Sequence, residues 1–218
     1  MKVLVPPQSG SKEGITASRN RFGQYVRTRA IPVNPTSFAQ GAVRARMAGN
    51  SAAWRLLSAN QRAGWNDLGL MMTRTDSLGQ SYTLQGNQAY ASINNNILAA
   101  GGTVVADAPA MATPVALSTV AITLTAAAFS VAYTVTPLPA LTYLFAFASP
   151  QRSAGRNFEG DFRLILVSAA AGASPMVLTT AYTAKFGVPV VGNKIFLSLV
   201  TMTKGFESGP YITSQVVA

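Results

Sequence analysis

The spacing of apolar residues changes period once along this chain, and that change narrows the folds open to it. Before about residue 100 the apolar positions recur at helical intervals, and after about residue 114 they alternate as in strands. Between the two lies Gly101–Pro114, a Gly-, Ala- and Pro-rich stretch with the composition of a linker. The pattern predicts an α+β chain: an extended arm over residues 1–16, an α-rich basic domain with one short strand over 17–100, a linker over 101–114, and a β-sandwich of about seven strands over 115–218. A length of 218 residues suits one large or two modest domains.

Within the first half, Pro6, Pro7, Gly10 and Gly14 keep the opening segment out of any core. Arg19 to Ala30 reads as one strand, with Phe22, Val26 and Ala30 on one side and Arg19, Arg21, Tyr25, Arg27 and Arg29 on the other. Ser37-Phe38-Ala39-Gln40 fits a capping box and starts a helix that runs to about Ala48. A second helical run begins at Ser51 and carries Trp54 and Leu57. Ser58-Ala59-Asn60-Gln61 repeats the capping box ahead of Trp65, Leu68 and Met72, and these helices are expected to pack through the two tryptophans. Ser81 to Leu84 suits a short strand, and Asn87 an N-cap for a helix from Gln88 to about Ala100, closed by Gly101 and Gly102.

Seven strand-like runs follow, at 115–124, 128–136, 141–148, 161–168, 176–179, 194–203 and 210–217. In the third, Leu141, Tyr143, Phe145 and Phe147 share one face while Leu144, Ala146 and Ala148 share the other, and Phe162, Leu164 and Leu166 oppose Ile165 and Val167. Strands apolar on both faces need cover on both, either from the helical half or from another subunit.

Composition narrows the function. His and Cys are absent, which removes imidazole bases, thiolate nucleophiles, disulfides and the common zinc sites. Among the seven acids only Glu159 and Asp161 lie close together, between Arg156 and Arg163, where local ion pairing or turn chemistry outweighs cation binding or acid–base work. Ser9-Gly10-Ser11-Lys12 matches an S-x-x-K spacing, but Gly10 and the prolines before it disfavour the helix such a site needs. No phosphate-binding loop, dinucleotide fingerprint or EF-hand spacing occurs, so no cofactor and no enzyme activity are implied. After Lys2 the run Val3-Leu4-Val5 ends at Pro6, too short for a Sec signal, and no later stretch reads as a membrane span.

Charge is uneven. Residues 1–76 hold eleven Lys and Arg against three acids, a net +8, and residues 77–218 hold six against four, a net +2. The basic face built from Arg19, Arg21, Tyr25, Arg27 and Arg29, with Arg44, Arg46, Arg55 and Arg62 on the helices, has the chemistry to neutralise phosphates or to make polar contacts between subunits.

The run Ser18-Arg19-Asn20-Arg21-Phe22-Gly23-Gln24-Tyr25-Val26-Arg27, followed by Pro32-Val33-Asn34-Pro35, Gln40, Val43-Arg44, Trp54, Leu57 and Gln61-Arg62-Ala63-Gly64-Trp65, resembles an uncharacterised family of bacterial and phage-like structural proteins over roughly residues 10–110. The remainder resembles an immunoglobulin or fibronectin type III sandwich, a module that recurs on phage heads, tails and extracellular filaments. The resemblance implies a virion or filament component, the missing Sec signal implies synthesis in the cytoplasm, and the two-sided apolar strands imply partners that are copies of itself, with other virion proteins beside them. Nucleic acid is the alternative partner. Strand addition along a sheet edge would suit the arm.

Overall fold

The computed structural model describes residues 9–20, 23–34, 37–76 and 78–218, with the side chain of Asn20 excepted. Two compact units divide between Ala42 and Val43.

The first unit is built from tight reversals. β1 (Gly10–Lys12), β2 (Ile15–Asn20) and β3 (Gly23–Thr28) form an antiparallel meander in that order. Lys12 pairs with Ile15 across the two-residue turn Glu13-Gly14, with Glu13 in the left-handed region at φ 53°. Gly10–Lys12, expected in the extended arm, is thus already hydrogen-bonded to β2, and residues 1–8 lie outside the described residues. The expected single strand Arg19–Ala30 is corrected: the chain reverses between Asn20 and Gly23, which are paired, and Gly23 takes φ 116°, a conformation side chains disfavour. Reversal reassigns the faces. Directly paired residues share a face, so Tyr25 and Arg27 lie with Ser18 and Thr16, whereas Arg19 lies with Gln24 on the face of Ala17 and Val26.

In the helical part, α1 (Phe38–Leu56) is one continuous helix where two were expected, and the division between the units falls within it. Asn50, a poor helix former, is 1% exposed, and its Nδ2 donates to Asn95 Oδ1 at 3.3 Å. Tertiary contact holds the helix where local propensity would end it. The N-terminus follows expectation, with Ser37 Oγ accepting from the Gln40 N–H. α2 (Ala59–Met71) opens on the anticipated capping box: Ser58 Oγ accepts from the Gln61 N–H and Gln61 Oε1 from the Ser58 N–H. β4 (Thr73–Thr75) and β5 (Ser81–Thr83) make a hairpin whose turn is held by Asp76 Oδ1, accepting at 2.8 Å from the N–H groups of both Leu78 and Gln80. α3 (Gly86–Ala99) begins two residues before the expected Gln88, with Gln85 at the cap in place of Asn87. It closes with Gly101 and Gly102 donating back to the carbonyls of Leu98 and Ile97, a Schellman arrangement.

The two tryptophans meet through an intermediary. Tyr90 of α3, 1% exposed, packs at 5.1 Å edge-on to Trp65 and at 5.4 Å against Trp54. Segment 101–114 has no regular secondary structure but is bound along its length. Asn94 exchanges two hydrogen bonds with the Val105 backbone, the Trp65 indole N–H donates to Ala106 O at 2.8 Å, and Val105, Ala108 and Ala112 pack on the helical core.

Strands occupy all seven expected runs: β6 (Thr119–Leu124), β7 (Phe129–Thr134), β8 (Thr142–Ala148), β10 (Arg163–Val167), β11 (Met176–Val177), β12 (Asn193–Thr203) and β14 (Tyr211–Val216). Two short strands join them, β9 (Arg152–Ser153) and β13 (Phe206–Glu207). β12 is the spine of the larger sheet, paired with β8 and β9 on one side and with β14 and β13 on the other, with β10 outside β8. β11-β7-β6 form the smaller sheet. Leu124, Phe129, Val131 and Tyr133 from the smaller sheet share one buried cluster with Leu144, Ala146, Ile195, Leu197 and Leu199 from the larger. α4 (Thr179–Phe186), which the strand count did not anticipate, adds Tyr182, 0% exposed. The chain is mixed α+β.

The outer face of β8 and β12 is apolar as expected, yet its cover comes largely from the same chain. Phe145, Phe196 and Met202 are 5%, 4% and 0% exposed without any second subunit. Ile97, Val105 and Pro109 border Tyr143 and Met202, and the Lys194 ammonium lies 5.4 Å over the Phe196 ring. Two-sided greasiness in these strands therefore does not by itself require a neighbour.

Candidate functional site

Carboxylates gather in one place. Glu159, 5% exposed, uses Oε1 to accept from the N–H groups of Gly160 and Asp161 at 2.9 Å each, and Oε2 to pair with Arg152 and, at 3.5 Å, with Arg156. Asp161 pairs with Arg163 at 3.3 Å. The Asp161 N–H and the Arg152 guanidinium hold the Glu159 carboxyl down at about 2, ionised throughout the physiological range. Such a group does not serve as a general acid. Among the described residues no cluster of three potential metal-ligating side chains exists, and the loop reads as an ion-paired brace that leaves Phe158 78% exposed at its tip.

The basic candidates are spread over both units. In the first, Arg19, Arg27 and Arg29 are exposed and Tyr25 is half-buried; Arg21 lies outside the described residues. The Arg29 N–H donates to Gly14 O at 2.8 Å and prolongs the β2–β3 pairing. Tyr25 and Arg27 share their face with a hydroxyl row in which Ser11 Oγ and Thr16 Oγ1 lie 2.8 Å apart. Among the described residues every ion pair falls within residues 152–163, so Lys12, Arg19, Arg27 and Arg29 have no carboxylate within salt-bridge distance. Arg44 and Arg46 sit on α1, two residues and so about 200° apart around the helix. Arg55 and Arg62 are otherwise engaged: Arg55 Nε donates to Ser51 O at 3.3 Å and Arg62 Nη2 to Arg55 O at 2.8 Å, satisfying carbonyls at the end of α1.

A third feature was not anticipated. Between α1 and α3 lies a depression of about 650 Å³ lined by Met47, Asn50, Ser51, Trp54, Asn87 and Asn95. A second, of about 630 Å³, runs toward α2 and β5 and shares Trp54 and Asn87 with the first. Trp54 and Asn87 thus border both depressions. The linings combine Trp54 and Tyr90 with amides and the Arg55 guanidinium, with Gln88, Ser92 and Asn95 on α3 and no Asp or Glu. Gly86 sets one wall, since a Cβ there would stand 2.1 Å from Asn66 Oδ1. Asn50 Oδ1 is buried and has no hydrogen-bond partner among the described residues. The sequence offered two muted signals: asparagines at helix-interior positions, which cost helix propensity, and a second tryptophan that the core did not need in full. Trp65 is 0% exposed, whereas Trp54, expected as a core anchor, is half-buried.

Among the described residues no helix is long and apolar enough to cross a membrane. Comparison with protein-family models and with curated proteins finds no match for the chain.

Proposed function

We propose that this chain is a non-enzymatic structural subunit that assembles with copies of itself, as a component of a virion (capsid, tail or decoration) or an extracellular filament. In this reading its second half is an immunoglobulin-like sandwich and its opening segment reaches a neighbour. The observation that supports it best is β14. That strand pairs with β12 alone among the described residues, and it leaves Tyr211, Ile212 and Val216 39%, 58% and 39% exposed. An open, apolar edge strand offers a ready row of backbone donors and acceptors to another chain, and monomeric proteins usually blunt such an edge with charge or proline. Residues 211–216 carry neither.

The test is sedimentation and negative-stain imaging of the full chain, beside Ile212→Lys. Concentration-dependent assembly is expected for the parent and its loss for the variant, with circular dichroism unchanged. A parent that stays monomeric at about 1 mM refutes the reading.

The second reading, nucleic-acid binding through the first unit, is favoured by Arg19, Arg27 and Arg29 standing without carboxylate partners. It predicts that affinity falls steeply with salt, with a log–log slope of about −0.7 to −0.9 per phosphate contact, whereas an apolar edge assembly persists in salt. Arg27→Ala should weaken binding to all sequences alike and flatten that slope by about one contact.

A further inference from the structure

We propose that the partner of β14 is β14 of a second copy of this chain, running antiparallel about a two-fold axis at Ser214. The inference rests on the self-assembly reading and goes beyond it by naming the partner strand, its direction and its register.

Phe196 shows which backbone groups of β14 are open. Its carbonyl accepts from the Ser149 N–H at 2.9 Å and its N–H donates to Ser149 Oγ at 3.0 Å, so its backbone is turned away from β14. The residue opposite Phe196 is Ser214. In an antiparallel ladder, opposed residues that do not bond each other both point outward, so the N–H and C=O of Ser214 face the free edge. The far end of the strand agrees. The Val217 N–H donates to Asn193 O at 2.8 Å, and by alternation Gln215, Thr213 and Tyr211 bond β12 whereas Ile212, Ser214 and Val216 do not.

This outward row is bounded at both ends. Before Ile212 its next member is Pro210, which has no N–H, and after Val216 it is Ala218, whose N–H already donates to Leu124 O at 3.1 Å. The open part is therefore centred on Ser214, with an aliphatic residue at either end, and a row with that symmetry is its own complement. Antiparallel pairing about Ser214 sets Ile212 opposite the partner's Val216 and Val216 opposite the partner's Ile212. These side chains, 58% and 39% exposed in the single chain, cover one another while about six backbone hydrogen bonds form. Sliding the register either way sets Pro210 or Ala218 against an open residue, which loses bonds and separates the aliphatic pair. No charge on β14 opposes the contact, and one two-fold covers both edges at once.

The chain has no cysteine, so a single introduced thiol reports its neighbour without background. Across the axis the Cα atoms at position 214 lie about 5.5 Å apart, within disulfide reach, whereas those at 211 lie roughly 20 Å apart. Under mild oxidation of the full-length chain, Ser214→Cys should form a covalent dimer at least about tenfold faster than Tyr211→Cys. An equimolar mixture of Ile212→Cys and Val216→Cys chains should cross-link where neither does alone. Sedimentation of the same samples reports on assembly separately. Assembled chains in which Cys at 214 reacts no faster than at 211, or in which the mixture gains nothing, overturn the β14 pairing and leave the self-assembly reading standing. Chains that stay monomeric at about 1 mM overturn both.

Discussion

Glu159 shows how one side chain couples a loop to pH. Its carboxyl is held at about 2 in the folded chain against an ordinary 4.5, so its stabilising contribution is fully present above about pH 4.5 and is lost as pH falls toward 2. Acid titration followed by the exchange rate of the Gly160 and Asp161 amides should show the loop loosening across that window. Glu159→Gln should remove most of the dependence while leaving the half-buried Arg152 beside an uncharged partner. Trp65 works through volume instead. It is 0% exposed, donates to Ala106 O, and lies edge-on to Tyr90, so Trp65→Ala should cost about 3–5 kcal/mol in denaturant unfolding. Neither role is visible in residue identity alone. Glu159 and Asp161 between Arg156 and Arg163 suggested local pairing, but nothing in the sequence said that Glu159 would be buried.

Elements announced by their own caps were the ones read most accurately. Ser58-Ala59-Asn60-Gln61 placed the start of α2, and Ser58→Ala should destabilise the chain by about 1 kcal/mol, measurable as a shifted urea midpoint at constant slope. Gly101-Gly102 likewise placed the end of α3, because its conformational demand is met by glycine at little cost. Three elements escaped for different reasons. α1 runs through Gly49 and Asn50 because Asn95 on another helix engages Asn50, a contact distant in sequence. The β2–β3 reversal lies between Asn20 and Gly23, and the two-residue alternation of the sequence runs on across it. A period count has no means of detecting such a turn, although it moves Arg19 to the face opposite Tyr25 and Arg27. α4 is eight residues long and sits between strand-like runs, where Tyr182 could equally have served a strand. The depression between α1 and α3 depended on α1 being unbroken, so it could not have been assembled from the parts list.

At the scale of the molecule, the composition shift near residue 114 marks a change in secondary structure and not a boundary between independent bodies. Phe206, from β13, belongs to the helical core, and Asn96 Nδ2 donates to Gly205 O at 2.9 Å. Gly205 itself is pressed so close to α3 that a Cβ would lie 2.5 Å from Ile93 Cγ2. The helices and sheets of residues 43–218 should consequently unfold together, with far-ultraviolet circular dichroism and Trp65 emission tracing one coincident transition. Separated transitions would show that segment 101–114 is the hinge its composition suggests. Shared ownership of Phe206 also has a bearing on biosynthesis. The ribosome releases α1, α2 and α3 long before Phe206, the residue that completes their interior, so the nascent helices must wait with an unsealed greasy flank while the intervening strands are made.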